Sequence, residues 1–297
     1  MPKLPKDGTH TLQTRYTEEV VKLKRKQNVV REMFGRDFVG EPRAGAVKFT
    51  KRPNEVKVLD YDVVNGVTLE TSTTDYITVP IDNNIAINEL IDGYEASAVP
   101  DNLVAQRIDS GAYSLGRAQE LNAIQVLEQD GTVHPDDGTD DELSADDTYA
   151  SILETIKEMK KLGVDINALR VIISPDTELK LLTDKKYSNT AANIGHEKIQ
   201  EGISGRIGGV DVYVSPNLQE GDPTEGSQGD DVRKTTEYIV FGVSWAQTAE
   251  DWAVEPMIND LMNGQHIGAS ALQGRMVYKD VLLDETTCVV KKFEETE

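Results

Sequence analysis

The chain has 297 residues, enough for one large domain or two ordinary ones, and its single cysteine, Cys288, excludes an internal disulfide and paired-thiol zinc patterns. Apolar residues make up 38% and aromatics 6%, a balance that suits a β-rich scaffold better than an enzyme with a deep aromatic pocket. The net charge is −21, yet residues 1–52 hold 13 Lys or Arg against 6 Asp or Glu, so a basic first segment precedes an acidic body that would repel nucleic acid.

The opening "MPKLPKDGTHTLQTRY" lacks the apolar core of a signal peptide, and no apolar run approaches the ~20 residues that span a bilayer. The sequence therefore reads as that of a soluble protein made in the cytoplasm. Thr17 caps a predicted amphipathic helix with Glu18 and Glu19 in its first turn, Val20, Leu23, Val30 and Phe34 on one stripe, and Gly35 as its stop. Its other face carries Lys22, Lys24, Arg25, Lys26 and Arg31. That face is either an ordinary solvated one or a surface that seeks polyanions or an acidic partner.

From Ala46 to Ile91 the pattern turns to strands: "AVKFTK", "EVKVLDYDV" and "TDYITVPI", with Asn65-Gly66 between the last two as a hairpin signal. Around that tip the apolar side chains are Val63, Val64, Val67 and Leu69. So polar a hairpin has little reason to fold onto its own core and is expected to pack on a partner.

Asp101 opens a helical pattern that runs to Asp130, with Val104, Ile108, Ala112, Leu115, Ala118 and Leu121 at intervals of three and four. Such a helix is about 45 Å long. Gly111 and Gly116 inside it point to close packing or a bend. The acidic stretch "HPDDGTDDELSADD" does not fit the register of a calcium loop and reads as a solvated loop. Asp146 is the expected cap of the next helix, with Tyr149, Ile152, Leu153, Ile156 and Met159 as its stripe and Gly163 as its end. The segment "LRVIISPDTELKLLTD" then reads as a buried strand followed by a helix that starts at Ser174-Pro175.

"GISGRIGGVDVYVSPNL" crowds Gly202, Gly205, Gly208 and Gly209 round one arginine. The spacing matches neither the dinucleotide fingerprint nor the phosphate-binding loop, and the cluster feeds a strand where those motifs need a helix N-terminus. "GRIG" fits a nucleic-acid-clamping G-x-x-G, but again outside the helical setting that such a clamp requires. The remaining reading is a turn between strands, with glycine supplying positive φ. The chain closes with strands in "YIVFGV", "RMVYKDVLL" and "TTCVVKKF". His10, His134, His196 and His266 never fall at metal-ligand spacing, and no nucleophile motif surrounds Cys288. No catalytic, cofactor-binding or metal residue is assigned.

The order of these parts resembles the tailed-bacteriophage major capsid proteins of the Hong Kong 97 fold, over nearly the whole chain. The resemblance implies an α+β fold with a basic N-terminal arm (1–43), an extended β-hairpin loop (44–90), and a peripheral domain with the long spine helix (91–133). A mainly axial domain (134–250) and closing strands of the peripheral domain (251–297) complete it. It implies a structural protein, not an enzyme, that self-assembles as pentamers and hexamers into an icosahedral shell round double-stranded DNA, in the virion and, during assembly, in the host cytoplasm. It further implies a portal and, because only about 40 residues precede the loop, a separate scaffolding protein, with no membrane partner. The lysine, asparagine and glutamate of the type member's covalent crosslink find no match. The basic arm would face the interior or the scaffold, the hairpin tip a neighbouring subunit, and the glycine turn the capsomer centre. An encapsulin-like compartment and a phage tail protein are the competing readings.

Overall fold

The computed structural model describes residues 28–36, 45–51, 58–68, 75–91, 102–134, 142–184, 187, 203–218, 233–260 and 270–295. Its largest layer is a six-stranded sheet built from β4 (Thr132–Val133), β5 (Leu169–Ile173), β6 (Ile203–Ile207), β7 (Val210–Val214), β8 (Arg233–Gly242) and β11 (Cys288–Glu295). The strand order is β4-β11-β8-β5-β7-β6. β5 runs parallel to β7 and antiparallel to β8.

Both faces of this sheet are covered, which is why its central strands are apolar almost throughout. Alternation still sorts the side chains. Val171 and Ile173 of β5 and Tyr238 and Val240 of β8 pack with Ile152, Ile156 and Met159 of helix α3 (Ala145–Lys161) and Leu181 of α4 (Pro175–Thr183). Ile172, Ile239 and Phe241 point the other way, onto Ile124 and Leu127 of the spine helix α2 (Asn102–Asp130) and onto Val30 and Phe34 near the N-terminus.

A second sheet has three strands in the order β3-β10-β9, formed by Asn83–Ile91, Ser270–Leu282 and Ala246–Asp260. The spine helix packs along β10. A two-stranded hairpin, β1 (Ala46–Lys51) with β2 (Asp75–Pro80), completes the described strands.

The mixed α and β architecture expected from the sequence is present, with four local corrections. Of the helix expected from Thr17 through Phe34, residues 17–27 lie outside the described ones, Asn28 and Val29 are not helical, and the short helix α1 spans Val30–Met33. Strand β3 does not extend the hairpin loop to residue 90, because it pairs with β10 from Asn83↔Tyr278 to Ile91↔Ser270. Of the segment expected to close the peripheral domain, β10 packs along the spine helix, whereas the last strand, β11, lies in the six-stranded sheet between β4 and β8. Finally, Ser144, not Asp146, caps α3, accepting the Asp147 amide on its side chain.

The stripes also shift. On α3, Leu153 lies at the surface while Ile152, Ile156 and Met159 are buried. On α2, Ala118 is exposed, whereas the polar pair Gln119 and Glu120 is fully buried. Gly111 and Gly116 are close-packing positions: a side chain at Gly111 would meet Ile87, and one at Gly116 would press on Arg31 and Asn28.

Candidate assembly surface

The hairpin β1–β2 forms a two-stranded sheet of its own, and β2 touches β10 of the three-stranded sheet. Val47 and Val79 face each other across the ladder and are its buried pair. Further out, the tip is held by its own polar groups. Asp62 accepts the Val64 amide on Oδ1 at 2.9 Å and the Asn65 amide side chain on Oδ2 at 2.6 Å, while the Asp62 carbonyl accepts the Gly66 amide at 2.8 Å. The hydrogen bond from the Val64 amide, then that from the Asn65 side chain, hold the Asp62 carboxyl below its ordinary value. Gly66 closes the turn at φ 72°, a conformation that costs other residues strain.

This well-defined tip presents apolar side chains to solvent. Val58 is 94% exposed, Val63 87% and Val64 86%, with Tyr61 also open. Leu69 of the expected tip lies outside the described residues, while Val67 is half-exposed. Single exposed apolar residues are ordinary, but here several lie within one short stretch of the chain.

Of the basic arm, Lys22, Lys24, Arg25 and Lys26 lie outside the described residues. Arg31 is described and is engaged within its own subunit: its guanidinium Nη2 donates to Glu250 Oε2 at 2.9 Å. Its backbone is fixed as well. The Glu120 carboxylate accepts the amides of Val29 and Val30 on Oε1 at 2.9 and 3.0 Å and that of Arg31 on Oε2 at 2.7 Å. Sequence reasoning missed this clamp, since a glutamate in mid-helix ordinarily reads as a solvated one.

Gly202 lies outside the described residues, and the other three glycines divide into two roles. Gly208 and Gly209, at φ 58° and 91°, form the two-residue turn joining β6 to β7, where positive φ at both positions matches the strand twist. Gly205 instead makes room for a ring, because a Cβ there would lie 2.3 Å from the Tyr187 hydroxyl.

Among the described residues no group of three His, Cys, Asp or Glu side chains is placed to hold a metal ion. His134 is buried edge-on to Tyr238 at 6.4 Å between centroids. Burial, with the charges of Asp130 and Glu128 adding, pushes the Cys288 thiol far up, which makes it an inert core side chain. An open polar cleft of about 720 Å³ lies where the spine helix ends, between Gln129–Thr132 and Leu282–Glu285, and the Thr132 hydroxyl that lines it donates to the Glu285 carbonyl at 3.0 Å. No described helix is long and apolar enough to cross a membrane.

No protein-family model and no curated protein matches the chain. Solved structures do match, nearly end to end. The capsid structure of Cyanophage P-SCSP1u superposes with a TM-score of 0.74 at 10% identity, covering 96% of this chain and 93% of that one. A structure from Mycobacterium phage Che8 gives 0.68 at 17% identity over 95% and 97%. The asymmetric unit of the bacteriophage PhiM1 mature capsid gives 0.68 at 15% over 97% and 93%. The fold thus defines the class: this chain has the fold of tailed-phage capsid structures. This agrees with the Hong Kong 97-type fold expected from the order of the sequence elements.

Proposed function

We propose that the chain is a major capsid protein that assembles through pentamers and hexamers into an icosahedral shell round double-stranded DNA. Its role is structural and needs no cofactor. The observation that carries this reading is the hairpin tip, which exposes Val58, Val63 and Val64 in a chain with the fold of capsid structures. Burying each valine on a neighbouring subunit contributes about 1.5–3 kcal/mol. Repeated over a shell, that contact decides assembly.

The other expectations fit the same scheme as proposals. The basic arm, with Lys22, Lys24, Arg25 and Lys26, faces the DNA-filled interior or an acidic scaffolding protein, and the turn at Gly208-Gly209 lies near the capsomer centre. A portal and a separate scaffolding protein are the remaining partners, and the chain works in the virion after assembly in the host cytoplasm.

Shortening the tip from Asp62 to Thr71 tests the reading. Thermal unfolding of the variant should match the parent, because the described tip residues add nothing to the core, while sedimentation velocity should show that capsomers and shells no longer form. A variant that still builds normal shells would reduce the hairpin to an ornament, and one that unfolds wholesale would place it in the subunit core.

A further inference from the structure

Residues Asn28–Arg36 form a strap laid over the spine helix and the start of β9. Val29, Val30 and Phe34 are buried, and the Phe34 ring sits 6.1 Å from that of Phe241. The strap ends as a strand edge: the Gly35 amide donates to the Ala246 carbonyl at 2.9 Å, and the Thr248 amide donates to the Gly35 carbonyl at 2.9 Å. Beneath it lies a polar joint. Arg31 and Gln119 both donate to Glu250 Oε2, at 2.9 and 2.7 Å, Gln119 also donates to Thr248 Oγ1 at 3.2 Å, and Arg36 is 3.8 Å from Glu250 Oε1.

Asp280 of β10 stands opposite Thr248 in this joint and is 2% exposed, with neither carboxylate oxygen in a hydrogen bond of good geometry. The ionisable groups of the joint are therefore Arg31 and Arg36 on the strap, Glu120 on α2, Glu250 on β9, and Asp280 and Tyr278 on β10. Burial, then the Asp280 charge, push the Tyr278 phenol up to about 12, so it stays neutral. Two guanidiniums face three carboxyls, and the charges cancel only when one carboxyl holds a proton. Glu120 is engaged by three amides and Glu250 by Arg31 and Gln119, which leaves Asp280.

We propose that Asp280 is the proton-binding element of a latch that holds residues 28–36 on the body, seated when Asp280 is protonated and loosened when it ionises. The environment of Asp280 supplies the direction. Burial is the largest influence and pushes its carboxyl up to about 6; Thr248 and Gln119, which approach without good geometry, pull it partly back, the Glu250 charge adds, and Arg31 opposes least.

Lifting the strap removes Arg31 but admits water. Because burial outweighs the Arg31 charge, the open form ionises at lower pH than the seated one. Opening is then favoured by about tenfold per pH unit from the ordinary carboxylate range near 4 up to about 6, and is level above.

Hydrogen–deuterium exchange on the unassembled full chain tests this without reference to shell building. After correction for chemical exchange, the amides of residues 28–36 should be about tenfold better protected at pH 5 than at pH 7. The Leu169–Ile173 amides of β5 serve as the reference for opening of the whole chain and should be better protected than the strap at both pH values, which makes the strap's opening a local one. In Asp280→Asn the strap should stay protected at both pH values. Equal protection of the wild-type strap at both pH values, better protection at pH 7, strap amides as well protected as those of β5, or an unchanged pH response in Asp280→Asn would each overturn the latch. Should that variant not fold, the wild-type comparison against β5 decides alone.

Discussion

A carboxylate in the middle of a helix usually faces water, yet Glu120 is fully buried and receives three consecutive amides from a segment 89 to 91 residues away. It does for α1 what a local capping residue would do, and it fixes where the N-terminal strap meets the spine helix. Glu120→Ala leaves those donors buried and unpaired, so it should lower the unfolding free energy by about 3 kcal/mol, with Glu120→Gln recovering part. Denaturant titration of the two variants measures the difference. Asp280 acts in the opposite sense. Its folded-state carboxyl lies at about 6, above its ordinary value, so the folded chain holds a proton that the unfolded chain releases near pH 4. Stability from this group is full below pH 4, falls as pH rises to about 6 and is level above. Asp280→Asn should remove that fall and raise stability at pH 7 by about 2–3 kcal/mol, read from denaturant midpoints at several pH values.

Among the elements, those with strong local signals were legible in the sequence. The spine helix was expected from residue 101 to 130 and spans Asn102–Asp130, and the strand at Leu169–Ile173 with its Ser174-Pro175 helix start stands where its apolar run and cap placed it. β9 was not legible, since "AQTAEDWAVEPMIND" mixes acids with Pro256 and takes its extended form from pairing with β10 along nearly its whole length. β3 was misassigned because just Ile81 and Asp82 separate it from β2, while its partner strand lies almost two hundred residues further on. The exposed hairpin tip was legible from Asn65-Gly66; the clamp under the strap was not, because it joins residues that nothing local connects. The β6–β7 turn offers a clean test of the glycine argument. Gly209 has φ 91° and open space beyond Ile166 at 3.8 Å, so any cost of a side chain there comes from the backbone. Gly209→Ala should lower stability by about 1–2 kcal/mol and Gly209→Asn by less, as thermal unfolding of the pair would show.

Across the molecule, charge and shape set different limits. The body beyond residue 52 is strongly acidic, so copies of it brought together repel one another, and in the proposed shell the basic first segment is the part that can offset this or meet DNA. Reversing Lys22, Lys24, Arg25 and Lys26 to glutamate should weaken scaffold binding or DNA retention. Each lost phosphate contact should flatten the log–log salt dependence of DNA association by roughly one unit, measured by titration at several salt concentrations. The fold itself is common to capsid structures that share only 10–17% of this sequence, which locates its cause in the pattern of buried faces and turns, not in particular side chains. Direct imaging tests the central claim, that this chain is the tile of a shell. Electron microscopy of the protein produced with the proposed scaffolding protein should show closed icosahedral particles with each hairpin lying over a neighbouring subunit. Open tubes, or monomers that persist at high concentration with that partner present, would contradict it.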